Sequence, residues 1–118
     1  MDPLRTQCTD ARLEQIYNAF ELIRLMDREM PGQVVACFLY VASHDDCHGN
    51  AMAMELGLSP ASASRVTDIL SCGRPGRESE GLDLITKETD PTNRRRQVLT
   101  LTPRGKQLAQ SMKTMIYG

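Results

Sequence analysis

Residues 51–70 carry the pattern that most restricts the fold, because two short helical stretches meet at a glycine. The segment reads AMAMELGLSPASASRVTDIL. Gly57 suits the tight turn between the stretches, and Ser59-Pro60 supplies an N-cap and a proline for a first helical turn. We therefore predict two helices over residues 50–72 in the arrangement of a helix-turn-helix. An ordinary helical hairpin is the alternative interpretation of this segment.

The second of these helices has one apolar face and one face of small or charged residues. We expect Ala63, Val66, Ile69 and Leu70 to point into the core, which leaves Ala61, Ser62, Ser64, Arg65 and Asp68 on the other side. Small side chains let a helix backbone approach base edges in the major groove, and an arginine can reach a guanine or a phosphate. The exposed face therefore predicts contact with DNA.

A long amphipathic pattern precedes this segment, with apolar residues recurring at spacings of three and four from Thr9 to Met30. It predicts a helix over residues 9–30, capped by Thr9. Its apolar stripe is longer than one small domain needs, so we expect it to form a dimer interface. The interface residues are Leu13, Ile16, Tyr17, Phe20 and Ile23.

Pro31-Gly32 then interrupts the chain before the segment VVACFLYVA, which is apolar on nearly every face. We predict a central helix from about Pro31 to Ser43, with a buried strand as the alternative. Residues 44–49, HDDCHG, read as a polar loop. The run contains metal-ligand atoms, but consecutive neighbours rarely converge on one ion, so we predict no metal site.

The charge of the chain is unevenly distributed, at −5 over residues 1–58 and +4 over residues 59–118. Such asymmetry is expected when one face of a protein meets phosphate. Within the basic half, short strand-like runs flank the sequence DPTNRRR and predict a hairpin over residues 82–101 with Arg94, Arg95 and Arg96 at its tip. Three adjacent guanidiniums suit a minor groove or a row of phosphates. A solvated loop is the alternative.

The remaining composition favours one non-catalytic domain. A chain of 118 residues with no tryptophan fits a single helix-rich core. Charged residues interrupt the amino end, and no stretch approaches the roughly 18 apolar residues of a membrane span, so we expect a cytoplasmic location. Four cysteines without CxxC spacing indicate reduced thiols. Because no nucleophile context or phosphate-binding loop is present, we predict no enzyme activity and no cofactor.

Residues 90–108 read DPTNRRRQVLTLTPRGKQL, which resembles the wing and following helix of the MarR family, DPxDRRxxxLxLTxxG. LGLSxxxxSR, over Leu56 to Arg65, resembles the recognition element of the same family. With the helices before them, the two motifs cover most of the chain. The resemblance implies a mainly α fold with a small β-hairpin, a winged helix-turn-helix, in one domain over residues 1–118 that closes with a helix over residues 103–117.

The resemblance also implies a function. The chain would be a sequence-specific regulator of transcription, a repressor, that binds a pseudo-palindromic operator in double-stranded DNA as a homodimer. The recognition helix would enter the major groove and the wing the minor groove. The DNA-contacting residues would be Ala61, Ser62, Ser64, Arg65, Asn93, Arg94, Arg95 and Arg96. Switching by a small-molecule effector or by thiol oxidation is compatible with this function, although no residue indicates it. A winged-helix module for protein–protein contact, without DNA binding, is the alternative.

Three departures from the family pattern affect these expectations. Asn93 stands where the family usually has an aspartate that can aim the wing arginine. The connection over residues 73–81 is longer than usual, which leaves the placement of the wing open. The sequence also ends early in the closing helical region, so we expect dimerisation to rely on the helix over residues 9–30 or to be weaker than usual. We also expect the family's ligand pocket to be missing.

Overall fold

The computed structural model describes residues 6–73, 76 and 80–117. Over these ranges the chain forms five helices and a small antiparallel sheet, which confirms the predicted mainly α class. The elements in chain order are α1 (Ala11–Arg24), α2 (Gly32–Ser43), β1 (Cys47–His48), α3 (Gly49–Glu55), α4 (Pro60–Leu70), β2 (Ile85–Asp90), β3 (Asn93–Leu101) and α5 (Pro103–Tyr117). None of the described helices is long and apolar enough to cross a membrane.

The core is built around α2, which is a helix and not the alternative strand. Five of its residues are buried, namely Val34, Val35, Cys37, Phe38 and Val41. Phe38 is fully enclosed and packs in one cluster with residues from α1, α4 and α5. Burying a side chain of this size contributes about 1.5–3 kcal/mol. The other helices and β3 are therefore arranged around a buried central helix.

The sheet has the order β1-β3-β2, with β3 in the centre. β1 pairs through Cys47 with Leu99, and β2 pairs with the other edge of β3 over Ile85–Asp90. The prediction of a loop over residues 44–49 was therefore wrong for Cys47 and His48. A strand of two residues has no alternating pattern that a sequence could reveal, and its pairing depends on β3, which lies about 50 residues further along the chain.

α1 is shorter than predicted and is capped by a different residue. Its N-cap is Asp10 rather than Thr9, because the Asp10 carboxylate accepts hydrogen bonds from the backbone N–H groups of Arg12 and Leu13, each at 3.1 Å. The helix ends at Arg24, since the Asp27 carboxylate accepts from the N–H of Glu29 at 2.9 Å and favours a turn. α1 packs along α5, and the molecule is elongated, at 58 × 28 × 27 Å.

The two ends of the long connection are joined directly. Beyond it, the N–H groups of Leu82, Asp83 and Leu84 donate to the carbonyls of Ile69, Ser71 and Leu70, each at 2.8 Å. Gly81 lies so close to this end of α4 that a β carbon there would be 2.2 Å from the Ser71 carbonyl oxygen. The start of the wing is therefore fixed beside the end of α4, although the length of residues 73–81 had left its placement open.

A second joint connects the wing to α5 and explains the sequence LTPRG. The N–H of Thr102 donates to the Leu84 carbonyl at 3.0 Å, and the Thr102 hydroxyl accepts from the N–H of Gly105 at 3.0 Å, as an N-cap does. A β carbon on Gly105 would lie 2.1 Å from the Leu84 carbonyl oxygen. Glycine is therefore required where the first turn of α5 crosses the start of the hairpin.

Candidate nucleic-acid interface

The turn between α3 and α4 is formed by short-range contacts. Gly57 has a positive φ of 67°, a conformation that favours glycine. The N–H of Leu58 donates to the Ala53 carbonyl at 2.8 Å, which closes the end of α3. The Ser59 hydroxyl then accepts from the N–H of Ser62 at 3.1 Å and caps α4, whose first residue is Pro60. The two helices are thus held as a helix-turn-helix.

α4 presents most of the predicted DNA-contacting residues to solvent. Ala61, Ser64 and Arg65 lie on its outer side. Ser62 is half-buried, and its hydroxyl accepts hydrogen bonds from the Ser59 hydroxyl at 3.0 Å and from Arg65 Nη2 at 3.4 Å. Ser62 is therefore occupied in capping the helix and in orienting Arg65.

The buried face of α4 differs from the prediction at one position. Ile69 is 42% exposed, whereas Thr67 is buried with Val66 and Leu70. Thr67 can be buried because its hydroxyl donates to the Ala63 carbonyl at 2.9 Å. Residues 63, 66, 67 and 70 form one stripe at helical spacing, and Ile69 lies beside it. A threonine in that stripe was overlooked because its side chain is polar.

The wing is the hairpin of β2 and β3, and its turn lies at Pro91-Thr92. The predicted position of Arg94, Arg95 and Arg96 at the tip was wrong, because all three belong to β3. Their side chains are nevertheless exposed. The hairpin closes in two residues, and this leaves the arginines to extend along the strand that follows the turn.

Asp90 holds this turn together. Its carboxylate accepts hydrogen bonds from the Thr92 hydroxyl at 2.7 Å and from the Thr92 N–H at 2.9 Å. The bond from the Thr92 hydroxyl lowers the pKa of Asp90 most, and the bond from the Thr92 N–H lowers it next. The nearby His48 and Arg96 lower it further. Asp90 is therefore held as a carboxylate at the base of the arginine run.

Asn93 acts on the backbone of the wing. Its side-chain oxygen accepts a hydrogen bond of 3.0 Å from the N–H of Arg95. The resemblance had suggested a side chain at this position that aims the arginine through its guanidinium. In this chain Asn93 instead fixes the backbone from which the Arg95 side chain extends.

A cleft of about 630 Å³ lies between the helix-turn-helix and β3. Its lining brings together Ser64 of α4 and Arg94 and Arg95 of β3, three of the predicted residues. Residues that the sequence reasoning missed also line it, including Asn50, Thr89 and Gln97. Gln97 follows the arginines directly and Asn50 opens the first helix of the motif, so position alone could have suggested both. Thr89 gave no such signal.

The other predicted residues do not line this cleft. Ala61, Ser62 and Arg65 belong to the first turns of α4, while Asn93 and Arg96 belong to β3. The cleft itself combines the small polar side chain of Ser64 with the guanidiniums of Arg94 and Arg95. Such a combination can approach base edges with a helix and phosphates with guanidiniums.

A second groove, of about 440 Å³, runs between α2 and α5. Its walls are mainly apolar, with Leu39 and Leu101 facing Met112 and Ile116, and Lys106 and Lys113 also line it. The expectation that the family's ligand pocket is missing stays a prediction.

The four cysteines are free thiols. Cys37 and Cys47 are buried, and burial raises the pKa of both thiols, so neither is activated as a thiolate. Cys8 and Cys72 are exposed. Among the described residues, no group of three or more His, Cys, Asp or Glu side chains is arranged to hold a metal ion.

Known structures share this architecture. The complex of Staphylococcus aureus MepR with DNA has a TM-score of 0.66 at 19% identity, over 89% of this chain and 76% of that one. MarR has a TM-score of 0.60 at 23% identity, over 87% and 71% of the two chains. The chain has the MarR fold.

The predicted winged helix-turn-helix is thereby confirmed. The transcriptional repressor CouR, bound to a 23-mer DNA duplex, shares the MarR fold with a TM-score of 0.60 at 20% identity, over 91% of this chain and 68% of CouR. No family model and no curated protein matches the sequence. Within this fold, α4 is the second helix of the helix-turn-helix, and the β2–β3 hairpin is the wing.

Proposed function

We propose that this chain is a sequence-specific regulator of transcription that binds double-stranded DNA, with α4 in the major groove and the arginines of the wing in the adjacent minor groove. The observation that carries the proposal is the shared cleft, whose lining includes Ser64 of α4 and Arg94 and Arg95 of β3. Residues separated by 30 positions in the sequence thus face one binding surface.

The dimensions of the site agree with this role. A helix is about 10–12 Å across with its side chains, and the exposed residues in the first two turns of α4 include the small Ala61 and Ser64, so α4 can enter a major groove about 12 Å wide. The arginines of β3 lie on the neighbouring element, where they would meet the sugar–phosphate backbone or a narrow minor groove. The helix would read bases, and the wing would supply most of the electrostatic affinity.

Known proteins with the MarR fold also support the proposal. MepR was crystallised with DNA, and CouR is a transcriptional repressor bound to a duplex. We infer from this likeness that the chain regulates transcription rather than catalysing a reaction, and that it acts as a repressor. A cytoplasmic location is part of the same proposal, because a regulator must reach its DNA.

We further propose that the chain binds as a homodimer through one face of α1. Four apolar side chains of that face are exposed, with 63% of Leu13, 44% of Ile16, 60% of Tyr17 and 41% of Phe20 accessible. Ile23 had been included in this interface, but it is fully buried in the core of its own chain and is excluded. Met115 and Tyr117 add exposed apolar surface on α5. A two-fold dimer would place two α4 helices on a pseudo-palindromic operator.

Selection of bound duplexes from a random DNA pool, followed by titration at several salt concentrations, tests the proposal. We expect an enriched pseudo-palindromic sequence and an affinity that falls steeply with salt, with a slope of about −0.9 for each phosphate neutralised. If no duplex is retained even at low salt, the proposal is wrong and the wing belongs to a protein–protein contact module.

A further inference from the structure

One ion pair connects the recognition helix directly to the wing. Nζ of Lys87 in β2 donates to Oδ1 of Asp68 in α4 at 2.8 Å, and the two side chains are only 17% and 21% exposed. The pair spans the long connection and joins α4 to β2. The exposed pair of Arg24 and Glu21, in contrast, lies within a single helix.

We propose that Asp68 and Lys87 are positioning residues that hold the wing at a fixed distance from the recognition helix, an inference that rests on the proposed DNA-binding function. Asp68 follows Ser64 by one turn of α4. Lys87 is paired across the sheet with Leu99 of β3, the strand that carries Arg94 and Arg95. The pair therefore connects the two elements that form the DNA-facing cleft.

The pair adds to the other attachments of the hairpin. The backbone hydrogen bonds between residues 69–71 and 82–84 hold its start, and β1 pairs with the far edge of β3 through Cys47 and Leu99. Neither of these holds β2 beyond Leu84 against α4, and a displacement of β2 would grow toward the turn at Pro91-Thr92. Lys87 lies three residues further along the hairpin than Leu84, so its bond to Asp68 opposes this displacement.

The surroundings of the pair make it stronger than an ordinary surface contact. Because both side chains are mostly buried, solvent and salt screen their attraction less than they screen an exposed pair. Removing one partner leaves a charge in a partly desolvated site, and the remaining side chain must move toward water to be solvated. Loss of either residue should therefore loosen the wing.

Asp68→Asn is the variant that tests this inference, and Glu88→Gln is its matched control. Glu88 is an exposed neighbour of Lys87 that lines the same cleft of about 520 Å³ as Asp68. Both substitutions raise the net charge by one, so they change the general attraction to DNA equally. Asp68→Glu retains the carboxylate and should restore the behaviour of the parent. Lys87→Met, which keeps the apolar stem, replaces Asp68→Asn if that variant fails to fold.

The first measurement is amide hydrogen exchange without DNA. We expect faster exchange over β2 and β3 in Asp68→Asn, with α1 and α5 unchanged and with Glu88→Gln and Asp68→Glu like the parent. If β2 and β3 exchange equally fast in Asp68→Asn and Glu88→Gln, the pair does not hold the wing. This measurement does not depend on whether the protein binds DNA.

The second measurement is affinity for a duplex selected from the random pool. We expect Asp68→Asn to bind about three- to tenfold more weakly than Glu88→Gln, and Arg95→Ala to cost less in the Asp68→Asn background than in the parent. The inference would be overturned if Asp68→Asn and Glu88→Gln bound the duplex with equal affinity and the effects of Asp68→Asn and Arg95→Ala were additive, even if amide exchange in the wing were faster. Failure of the parent to bind any duplex would overturn the proposed function instead, and the exchange measurement would still show whether the pair holds the wing.

Discussion

The side chain of Thr102 joins two segments that are 19 residues apart, because its hydroxyl donates a hydrogen bond of 2.7 Å to the carbonyl oxygen of Asp83. The same hydroxyl oxygen accepts from the N–H of Gly105. Thr102 is buried, so water cannot replace these bonds. One hydroxyl thus ties the beginning of the wing to the beginning of α5.

Thr102→Val should therefore lower the free energy of unfolding by about 1–3 kcal/mol, since it leaves the partly buried Asp83 carbonyl and the buried Gly105 N–H without their partner. Urea unfolding followed by circular dichroism measures the change. Thr114→Val is the control, because the Thr114 hydroxyl is exposed and donates within α5 to Gln110. Equal stabilities of the two variants would contradict the role assigned to Thr102.

The turn of the wing should make stability depend on pH. The pKa of Asp90 is lowered in the folded protein, chiefly by the Thr92 hydroxyl. The resulting stabilisation is fully present above the unfolded pKa of about 4 and is lost as the pH falls from there through the folded pKa.

Thr92→Val removes the largest cause of this shift. We expect the variant to be less stable than the parent at pH 7 and the difference to shrink as the pH falls below about 4, where Asp90 becomes protonated in both proteins. Urea unfolding at a series of pH values tests this, with Thr114→Val as a threonine far from any wing carboxylate. A stability difference that stays constant down to about pH 2.5 would show that the carboxylate is not involved.

The wing and the recognition helix should contribute differently to DNA binding. Arg95→Ala should weaken binding to operator and scrambled duplexes alike, and it should reduce the salt slope by about one for each phosphate that a subunit no longer neutralises. Arg65→Ala should reduce the difference in binding free energy between the operator and the scrambled duplex by roughly 1–3 kcal/mol, which is the contribution of a good base contact.

Titrations of both variants at several salt concentrations separate these effects. Arg12→Ala in α1 removes an exposed arginine away from the cleft and controls for net charge. If Arg95→Ala binds both duplexes as tightly as Arg12→Ala, the wing does not contact DNA. If Arg65→Ala retains full discrimination, other side chains read the bases.

The exposed face of α1 should control the oligomeric state. Tyr17→Glu places a charge in the proposed interface and should shift the protein from dimer to monomer with little effect on the fold, because Tyr17 is mostly exposed. Ile23→Ala, in the same helix, should instead lower the free energy of unfolding by about 2–5 kcal/mol, because Ile23 is fully buried. Sedimentation at tens of micromolar protein distinguishes the dimer from the monomer. A parent protein that is monomeric both with and without DNA would exclude the proposed interface.

Local signals in the sequence were sufficient to predict the helix-turn-helix and the hairpin. The conformational effects of Gly57, Ser59 and Pro60 extend over only a few neighbouring residues. Their spacing therefore specifies the turn and the start of α4. The exposure of Ala61 and Arg65 followed from helical periodicity in the same way. The contacts of these side chains with DNA stay predictions.

Features that depend on distant partners could not be predicted. β1 exists because Cys47 meets Leu99, and Ile23 is buried because α1 packs into the core, chiefly along α5. The arginines were misplaced by a few residues because a two-residue turn and a longer polar loop share the same composition. The joint at residues 69–71 is made by backbone atoms, which leave no side-chain pattern in the sequence.

Because of that joint, the geometry of the proposed binding surface does not depend on the length of the connection. Since residues 69–71 and 82–84 are bonded to each other, the place where the wing begins is set by this joint and not by the number of residues between the two segments. The spacing between α4 and the wing is therefore a property of backbone pairing rather than of chain length.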